Sequence, residues 1–500
     1  MASKPAPQRL VKKSAPDEAE AAEYDAVWEP DVASGNTWTA RPWVHPSARI
    51  EEAKAARKRV SRASHAAFEP RPGRDPIAIL NAQEEDRLQE LVPLRHARMA
   101  ESAFAYYRGT PAVMAFDLAN APRTDMIVQT CGDAHLSNFG LFASPERALV
   151  FDANDFDETL PGPWEWDVKR LAASMVIAGR ANGFSASVNR EVTMAAVRGY
   201  RQWMGRYAGM RLTDIMYASI TDVDIREAAE GSGLLQGSGA ENSRRRQAIE
   251  TLFSKARRKD GMRAFESLTA VVGGRRVILD DPPVITHVEV PGGPASLEQT
   301  FADYRASMPE SRRAFLERYR FVDFALKVVG VGSVGTRCFV VLLEGRDEND
   351  ALILQAKEAT ASVLEPHLEA SMHPNHGQRV VVGQQQMQAS SDIYLGWTRY
   401  PGGRDFYFRQ LWDMKGSVDT TTLRPVGLGF YGGLCGWALA RAHARTGDAV
   451  AISAYLGTSD RFDGAIADFA ETYADVNATD HAAYVGAIAA GKVSVPAAAG

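Results

Sequence analysis

Two short apolar segments that each run into a loop rich in oxygen ligands constrain this chain most. The first reads VQTCGDAHLSNFG over residues 128–140, and the second reads LVFDANDFDE over residues 149–158. Their apolar residues predict short buried strands. Asp, Asn and Gly also dominate ordinary turns, so one such loop alone would indicate little. Two in succession predict a site for a hard cation such as Mg²⁺, which binds oxygen ligands and keeps several waters. The polar residues of the two loops are Asp133, His135, Asn138, Asp152, Asp155 and Asp157.

Composition excludes several classes of partner. The chain has 500 residues, of which 45% are hydrophobic and 24% charged, as expected for a globular protein with a substantial core. A net charge of -5 argues against a general nucleic-acid binder. The three cysteines are far apart, which favours a reducing compartment and no structural zinc. Without an apolar signal or membrane-spanning segment, we expect a cytoplasmic protein that does not contact membranes.

Changes in patterning divide the chain into six segments. We expect a mobile tail over 1–70 with one short helix at 50–62, and a disordered tail over 491–500. Between them, the segments are a helical region with the two strand–loop units over 71–212, a mainly helical insertion over 213–322, a β-rich region over 323–415 and a helical remainder over 416–490.

Periodicity gives the elements within these segments. The predicted helices after residue 160 are 164–178, 187–207, 242–259, 297–320, 426–445, 449–456 and 462–475. Pro93 is expected to split the helical pattern that precedes the first acidic loop. The predicted strands after residue 160 are a hairpin at 271–278 and segments 324–329, 338–343, 351–357, 378–388, 393–400 and 405–411.

A glycine-rich loop lies between two of these strands and reads GVGSVG over residues 330–335. It is followed by a second strand and by Lys357 at the end of a third, which is not the strand–loop–helix order of a dinucleotide-binding unit. Glycines let the backbone approach phosphates, and a strand lysine can neutralise them. The guanidinium of Arg337 also suits phosphate. A tight hairpin with an incidental lysine is the alternative. The predicted phosphate-binding residues are Gly330, Gly332, Ser333, Gly335, Arg337 and Lys357.

The pattern Asp133-x-His135-x-x-Asn138, followed by Asp155-Phe156-Asp157, resembles the catalytic and metal loops of the kinase-like superfamily, and especially its aminoglycoside phosphotransferase and choline kinase branch. The resemblance implies that Asp133 deprotonates an acceptor. It implies that Asn138 and Asp155 hold Mg²⁺ on the phosphates of ATP. It also implies that Asp167 supports the catalytic loop, and that the glycine loop and Lys357 bind the nucleotide.

The order of these parts is unusual, because in kinases the glycine loop precedes the catalytic loop. We therefore expect an α+β, two-lobed, protein-kinase-like fold in circularly permuted order. The helical catalytic lobe would come first, the helical insertion next and the antiparallel β small lobe later. Residues 406–411 would form the hinge strand, and 426–445 the helix that leads into the catalytic loop. Permutation is tolerated where the old termini can be joined at the surface.

Residues 75–490 also resemble a bacterial family of unknown function, numbered 2252, usually grouped with kinase-like folds. The shared segments read GDAHLSNFG, FDANDFDE, EWDVKRLAAS, GVGSVGTR and RQLWDMKGS. This resemblance implies membership but no established activity.

Several positions depart from the kinase-like pattern. Cys131 replaces a histidine that helps to support the catalytic loop, and Gln355 stands where a small residue usually faces adenine. The partner of Lys357 would be Glu365, at an expected helix start before Pro366, or Glu369 one turn later. Asp152 and Asp157 compete with Asp155 for the metal. His135 would contact phosphate or serve as a structural hydrogen-bonding group.

Three functions remain open on these residues. The first is an ATP- and Mg²⁺-dependent phosphotransferase acting on a small hydroxyl- or amino-bearing molecule or on a protein. The second is a nucleotide-binding pseudokinase or scaffold, which the replacement at Cys131 motivates. The third is a metal-dependent hydrolase that uses the Asp/His loops, with a merely structural glycine loop. The acceptor is not encoded in any motif, and residues 213–322 are the expected source of its contacts.

Overall fold

The first described segment is helical. The computed structural model describes residues 44–236, 238–259, 261–273, 275–289, 293–411 and 413–496. Helix α1 spans Pro46–Arg59 and a 3₁₀ turn spans Arg62–Ala66. Ala53 and His65 are fully buried in these elements. The short helix predicted at 50–62 corresponds to α1, which begins and ends earlier, and buried side chains anchor residues 46–66 of the expected tail. Residues 1–43 lie outside the described residues.

Four short helices lead to the first strand. They are α2 (Pro76–Glu84), α3 (Val92–Ala100), α4 (Ala103–Arg108) and α5 (Pro111–Leu118). Pro93 lies in the first turn of α3, where its fixed φ and missing N–H are tolerated. The helical pattern is thus split at this proline, as the sequence predicts.

Two short antiparallel pairs of strands carry the acidic loops. The strands are β1 (Ile127–Thr130), β2 (Phe139–Ala143), β3 (Leu149–Ala153) and β4 (Leu160–Pro163), and β1 pairs with β4 while β2 pairs with β3. Helix α6 (Trp164–Ala181) follows β4 directly, and α7 (Ala186–Ala208) packs on it. Nearly all of α6 is buried, so the acidic loops rest on the interior of the protein.

The predicted insertion contains helices and short strands. Its elements are α8 (Leu212–Tyr217), α9 (Asp222–Gly231), α10 (Gly239–Arg258), α11 (Gly261–Leu268), β5 (Thr269–Val272), β6 (Arg275–Ile278), β7 (Ile285–Thr286), α12 (Gly293–Ala306) and α13 (Glu310–Leu316). Strands β5 and β6 form the hairpin that the sequence predicts. The single helix predicted over 297–320 is instead two helices, because Pro309 stands at the N-cap of α13.

A six-stranded antiparallel sheet carries the glycine loop and Lys357. Its further strands are β8 (Arg320–Lys327), β9 (Cys338–Glu344), β10 (Ala351–Ala359), β11 (Gly396–Arg399) and β12 (Asp405–Gln410), in the order β11-β12-β10-β9-β8-β7. Strand β10 lies in the interior of the sheet, where Lys357 faces Cys338 on β9 and Tyr407 on β12. Hydrogen bonds on both sides therefore fix the backbone that positions this lysine.

The prediction of a strand over 378–388 is wrong, since these residues lie in helix α14 (His376–Met387). The valines at 380–382 suggested a strand. Val380, Val381, Gln384 and Met387 are buried at helical spacing, however. The side chain of Asn375 also caps the helix by accepting a hydrogen bond from the Gln378 N–H (3.0 Å).

Three long or buried helices complete the chain: α15 (Pro425–Thr446), α16 (Ala449–Leu456) and α17 (Arg461–Ala489). The largest apolar core lies where α15 and α17 pack with α6 and α7. Val493 is buried, so the expected disordered tail is wrong for that residue, and residues 497–500 lie outside the described part. In the described ranges no helix combines the length and the apolar character needed to cross a bilayer. The architecture is mixed α+β with small antiparallel sheets.

Candidate functional site

One cleft brings together residues from the two acidic loops and from the glycine-loop sheet. Its volume is about 870 Å³. The predicted residues that line it are Asp133, His135, Asn138, Asp155, Asp157, Gly330, Gly332, Ser333, Lys357 and Glu365. The predicted residues that do not line it are Asp152, Asp167, Gly335 and Arg337. Segments that are far apart in the sequence therefore meet across one space.

Asp167 holds the first acidic loop from behind. Its carboxylate accepts hydrogen bonds from the backbone N–H groups of Cys131 (2.6 Å) and Gly132 (3.0 Å). Gly132 has a φ of +80°, and a Cβ added there would lie 2.3 Å from the carbonyl oxygen of Glu158, so the turn requires glycine. His443 of α15 lies beneath, with Nε2 3.2 Å from Asp167. The turn before Asp133 is thereby fixed by a buried carboxylate.

Cys131 joins the two acidic loops. Its thiol donates to the backbone carbonyl of Asp155 (3.2 Å), and the side chain is buried. Burial and the nearby Asp167 raise the pKa of the thiol well above its ordinary value, so it remains protonated and able to donate. The residue that departs from the kinase-like pattern therefore still connects the loops.

Asp133 is paired with a cation. Its Oδ1 accepts a hydrogen bond from Arg170 Nε of α6 (2.8 Å). Arg170 also stacks on the ring of Tyr107, with 3.8 Å between guanidinium carbon and ring centroid. Burial raises the pKa of Asp133 while Arg170 opposes that rise. A half-buried carboxylate whose proton affinity is raised by its surroundings and restrained by one arginine is a reasonable proton acceptor.

His135 and Asn138 complete the first loop. His135 Nδ1 accepts from the Ser137 N–H (3.2 Å), which assigns the ring proton to Nε2, 3.6 Å from Asp133 Oδ2. Burial and the positive charges of Arg108 and Arg170 lower the pKa of His135 well below its usual value, so the ring is neutral. Asn138 donates its amide N–H to the backbone carbonyl of Asp133 (2.8 Å). Asn138 lines the cleft, and this hydrogen bond uses its amide nitrogen and not its amide oxygen.

The second acidic loop presents two carboxylates to the cleft. Asp157 forms an ion pair with Lys357 and accepts a hydrogen bond from the Tyr407 hydroxyl (2.8 Å). Burial opposes its ionisation, but these two partners hold the pKa of Asp157 below its ordinary value. Burial and the neighbouring charge of Asp157 raise the pKa of Asp155. Within the described ranges, the Asp155 carboxylate forms no ion pair and accepts one hydrogen bond, from the Asp157 N–H (3.3 Å).

Asp152 does not belong to the cleft, although the sequence placed it among the metal ligands. Its side chain is buried in an ion pair with Arg441 of α15. Position relative to the strand explains the difference, because Asp152 lies inside β3, whose residues are all buried, while Asp155 and Asp157 follow the end of the strand.

The oxygen donors fit a magnesium ion carried by a phosphate ligand. The backbone N–H of Asn154 donates to the carbonyl oxygen of Asn138 (3.0 Å), so the loops bearing Asn138 and Asp155 are in contact. In the described residues, no three His, Cys, Asp or Glu side chains form a closed metal cluster. Mg²⁺ is commonly held by one or two carboxylates, with water and phosphate oxygens supplying the rest. An amide and one or two carboxylates meet that requirement.

The glycine loop presents part of its backbone to the cleft. Gly330, Gly332 and Ser333 line the space, and the Ser333 N–H bonds back to the Gly330 carbonyl (2.9 Å). Gly335 instead packs against Arg87, whose Cβ would lie 3.1 Å from a Cβ added to this glycine. Arg337 does not line the cleft, but it donates to two residues that do, Glu358 (3.2 Å) and the Asp86 carbonyl (3.1 Å). Contact between Arg337 and phosphate therefore stays a prediction.

Glu365 is not the partner of Lys357. It accepts from the Ser362 N–H (3.0 Å), and Arg379 Nε lies 3.9 Å from it. The helix expected to start near Pro366 begins at His376, so Glu365 and Glu369 lie in the connection before it. Lys357 instead pairs with Asp157, which is the nearer carboxylate. Burial alone would lower the pKa of Lys357, but the pair with Asp157 raises it.

Sequence reasoning missed the arginines that hold the glycine loop. Arg87 donates to the Val334 carbonyl (2.6 Å), Arg95 to Gly332 (3.3 Å) and Arg98 to Val329 (2.9 Å). A signal was present on α3, whose buried positions Val92, Arg95, His96 and Met99 have helical spacing. A charged residue on a buried helix face indicates a specific partner.

Arg108 was missed as well, and it also lines the cleft. It ends helix α4 and belongs to none of the motifs that the sequence presents.

Comparison with known proteins places the chain in a family. A family model described as "Uncharacterized protein conserved in bacteria (DUF2252)" matches residues 87–487. No curated protein and no solved structure matches the chain. The matched range includes both acidic loops, the glycine loop and Lys357. Because the match covers most of its length, the chain belongs to the bacterial DUF2252 family.

Proposed function

We propose that this protein is an ATP- and Mg²⁺-dependent phosphotransferase that acts on a hydroxyl or amine of a small molecule or protein. The observation that carries the proposal is the convergence of Asp133, Asn138, Asp155 and Lys357 with the glycine loop around one cleft of about 870 Å³. A space of this volume is within the range of small-molecule and cofactor sites. Each wall of this cleft would have its own role in the reaction.

The sheet would bind the phosphates. Gly330 and Gly332 allow the backbone to come close, and Lys357 supplies a positive charge from a rigid interior strand. In this proposal Lys357 moves part of its interaction from Asp157 to a phosphate oxygen when nucleotide enters. Asp157 would then be free to approach the metal together with Asp155 and Asn138. Mg²⁺ supplies neutralisation of the charge on the phosphates when it is bound.

The first acidic loop would serve the acceptor. Asp133 orients the attacking hydroxyl or amine and accepts its proton. Arg170 keeps this carboxylate in place from the side of α6, and Asn138 donates to the backbone carbonyl of Asp133. The neutral His135 would donate from Nε2 towards the same space. Positioning and electrostatic stabilisation supply most of the catalysis in phosphoryl transfer, so a few fixed groups suffice.

The chain order supports a permuted kinase-like fold as part of the same proposal. The unit bearing the acidic loops precedes the sheet bearing the glycine loop, and β12 leads from the sheet to α15. Helix α15 contributes Arg441 and His443 beneath the two acidic loops. This is the place proposed for the helix that leads into the catalytic loop. A solved structure with bound nucleotide would test this arrangement.

The function is tested with labelled ATP and a metabolite pool, followed by mass spectrometry of the product. We expect Mg-ATP to raise the melting temperature and the wild-type protein to form a phosphorylated product. Asp133→Asn should retain nucleotide binding and lose transfer by about 10²-fold or more. Glu146→Gln, an exposed carboxylate outside the cleft, is the matched control and should keep full activity. Unchanged turnover in Asp133→Asn would exclude Asp133 as the base.

A nucleotide-binding pseudokinase is the second candidate, and the pairing of Asp133 with Arg170 favours it. An arginine at 2.8 Å stabilises the ionised carboxylate and so weakens it as a proton acceptor. This candidate predicts tight binding of nucleotide without turnover of any acceptor. Arg170→Gln would separate the two, because in an active enzyme it should displace Asp133 and reduce transfer, while in a pseudokinase only stability would change.

A further inference from the structure

Arg108 occupies the space between the glycine loop and the acidic loops. It is the last residue of α4 and lines the cleft. A Cβ added to Gly330 would lie 3.8 Å from Arg108 Nη2, and one added to Gly332 would lie 3.4 Å from the Arg108 carbonyl oxygen. The arginine therefore approaches the glycine loop with both its side chain and its backbone.

The guanidinium of Arg108 is not fully satisfied by the protein. Its Nε is buried and has no hydrogen-bond partner in the described part of the chain. The Nε of Arg87 is also without a partner, but Arg87 and Arg95 donate to loop carbonyls through other nitrogens, and Arg170 donates to Asp133. The guanidinium of Arg108 makes no hydrogen bond within the described ranges. A buried donor without a partner is unfavourable. Because Arg108 lines a polar cleft, we infer that a ligand accepts the hydrogen bonds that its guanidinium can donate.

The ionisable groups around Arg108 also line the cleft. Burial lowers the pKa of this arginine, and the carboxylates of Asp133 and Asp155 offset that shift only in part. The same arginine lowers the pKa of His135. Arginine stays protonated in proteins, so Arg108 places a fixed positive charge near the residues proposed to bind acceptor and metal.

We propose that Arg108 binds the terminal phosphate of the nucleoside triphosphate and stabilises the charge on it during transfer. This inference rests on the proposed function. In the step, the acceptor oxygen or nitrogen forms a bond to the terminal phosphorus while the bond from that phosphorus to the diphosphate oxygen breaks. The acceptor proton goes to Asp133, and the diphosphate leaves with the bonding electron pair. Arg108 gains and loses no proton.

The test compares the affinity for Mg-ADP with that for a non-hydrolysable Mg-ATP analogue by titration calorimetry. Only the analogue carries the terminal phosphate, so the wild-type protein should bind it more tightly. Arg108→Ala should weaken binding of the analogue by about 10- to 100-fold, as expected for loss of a charged hydrogen bond. Binding of Mg-ADP should change by less than about 3-fold. Arg108→Lys should recover only part of the loss, because lysine lacks the planar fork.

Arg180→Ala is the matched control, since Arg180 is a partly exposed arginine paired with Asp475 and it does not line the cleft. It should leave both affinities unchanged. Melting temperatures without nucleotide show whether each variant is folded, and Arg108→Gln replaces Arg108→Ala if the latter is not.

The outcomes separate this inference from the proposed function. If Arg108→Ala or Arg108→Gln retains the wild-type preference for triphosphate, or if the wild type shows no such preference, the role of Arg108 is wrong while nucleotide binding stands. If the wild type binds neither nucleotide, both are wrong. Mg-ADP with aluminium fluoride, which imitates the transferring phosphate, gives a second readout. Aluminium fluoride should tighten the binding of Mg-ADP to the wild type and not to Arg108→Ala.

Discussion

The two walls of the cleft are stabilised in different ways. The acidic loops rest on ion pairs and hydrogen bonds inside the core, where Asp167 holds backbone N–H groups and Arg441 holds Asp152. The glycine loop is held from outside, by arginines of α3 and the preceding turn that donate to backbone carbonyls. One wall is therefore fixed by buried charges with no access to water. The other is attached by single hydrogen bonds to backbone carbonyls, and these bonds are only partly buried, although Arg95 itself is buried.

Under the proposed function, this difference matches a division of roles between the two loops. A loop that orients reacting groups gains from a rigid support, because small displacements reduce the rate strongly. A loop that covers a ligand must open and close. Substitutions behind the acidic loops should therefore have large effects on stability, and substitutions at the glycine loop small ones.

The largest effect is expected for Arg441→Met. This change leaves Asp152 buried without its cation, and breaking a buried pair costs about 3–5 kcal/mol. Urea unfolding followed by fluorescence measures the free energy of unfolding. Arg180→Met, at a partly exposed pair, should cost less than about 1 kcal/mol. The double variant Arg441→Met with Asp152→Leu should recover part of the loss, and a single-variant loss below that of Arg180→Met would contradict the comparison.

An intermediate effect that depends on pH is expected at Glu165, which lies near the start of α6 behind the acidic loops. Burial raises the pKa of Glu165 to about 7 from an ordinary value of 4.5. Its Oε2 has no hydrogen-bond partner in the described part of the chain. The folded protein therefore retains a proton that the unfolded chain releases, so this group lowers stability as the pH rises from about 4.5 to above 7.

Glu165→Gln removes this titration. The variant should match the wild type near pH 5 and exceed it by about 1–3 kcal/mol near pH 8. Urea unfolding at several pH values measures the difference, and Glu146→Gln on the surface should show no such trend. Parallel stability curves for wild type and Glu165→Gln would show that Glu165 is ionised in the folded protein.

The smallest effect is expected for Arg98→Ala at the glycine loop. The Val329 carbonyl loses one hydrogen bond but can accept from water, so stability should fall by about 0.5–1.5 kcal/mol. Nucleotide affinity should fall several-fold, because the loop samples more conformations before binding. Hydrogen exchange of the loop amides, measured by mass spectrometry, should increase while the amides of β10 remain protected. A change of stability as large as that of Arg441→Met would remove the distinction between the two walls.

The sequence predicted the elements that carry regular patterns. Helices α6, α7 and α15 and strands β9, β10 and β12 follow from their periodicity, and the loop residues that converge on the cleft follow from motif spacing. It did not predict α14, because three consecutive valines favour a strand until the cap at Asn375 and the buried face are considered. The packing of residues 46–66 was missed for a similar reason, as few apolar residues mark it.

The site was predictable where a motif specifies contacts and not where packing chooses among alternatives. Asp152, Asp155 and Asp157 are chemically equivalent in the sequence, and only the end of β3 decides which of them faces the core. The sequence assigned Glu365 or Glu369 to Lys357 because it placed a helix start before Pro366, whereas that helix begins at His376 and Lys357 pairs with Asp157. Arg108 and the arginines of the α3 region lie outside every motif, because they act through backbone carbonyls and an open space.

Residues 481–494 have a consequence for biosynthesis. His481 lies 3.0 Å from the Ala100 carbonyl, and His96 lies 2.6 Å from the Ser494 carbonyl, so the C-terminal segment packs on the helix whose arginines hold the glycine loop. This segment leaves the ribosome after every residue of the cleft has been made. A nascent chain therefore cannot complete the packing of this helix until residues 481–494 have been made and have left the ribosome.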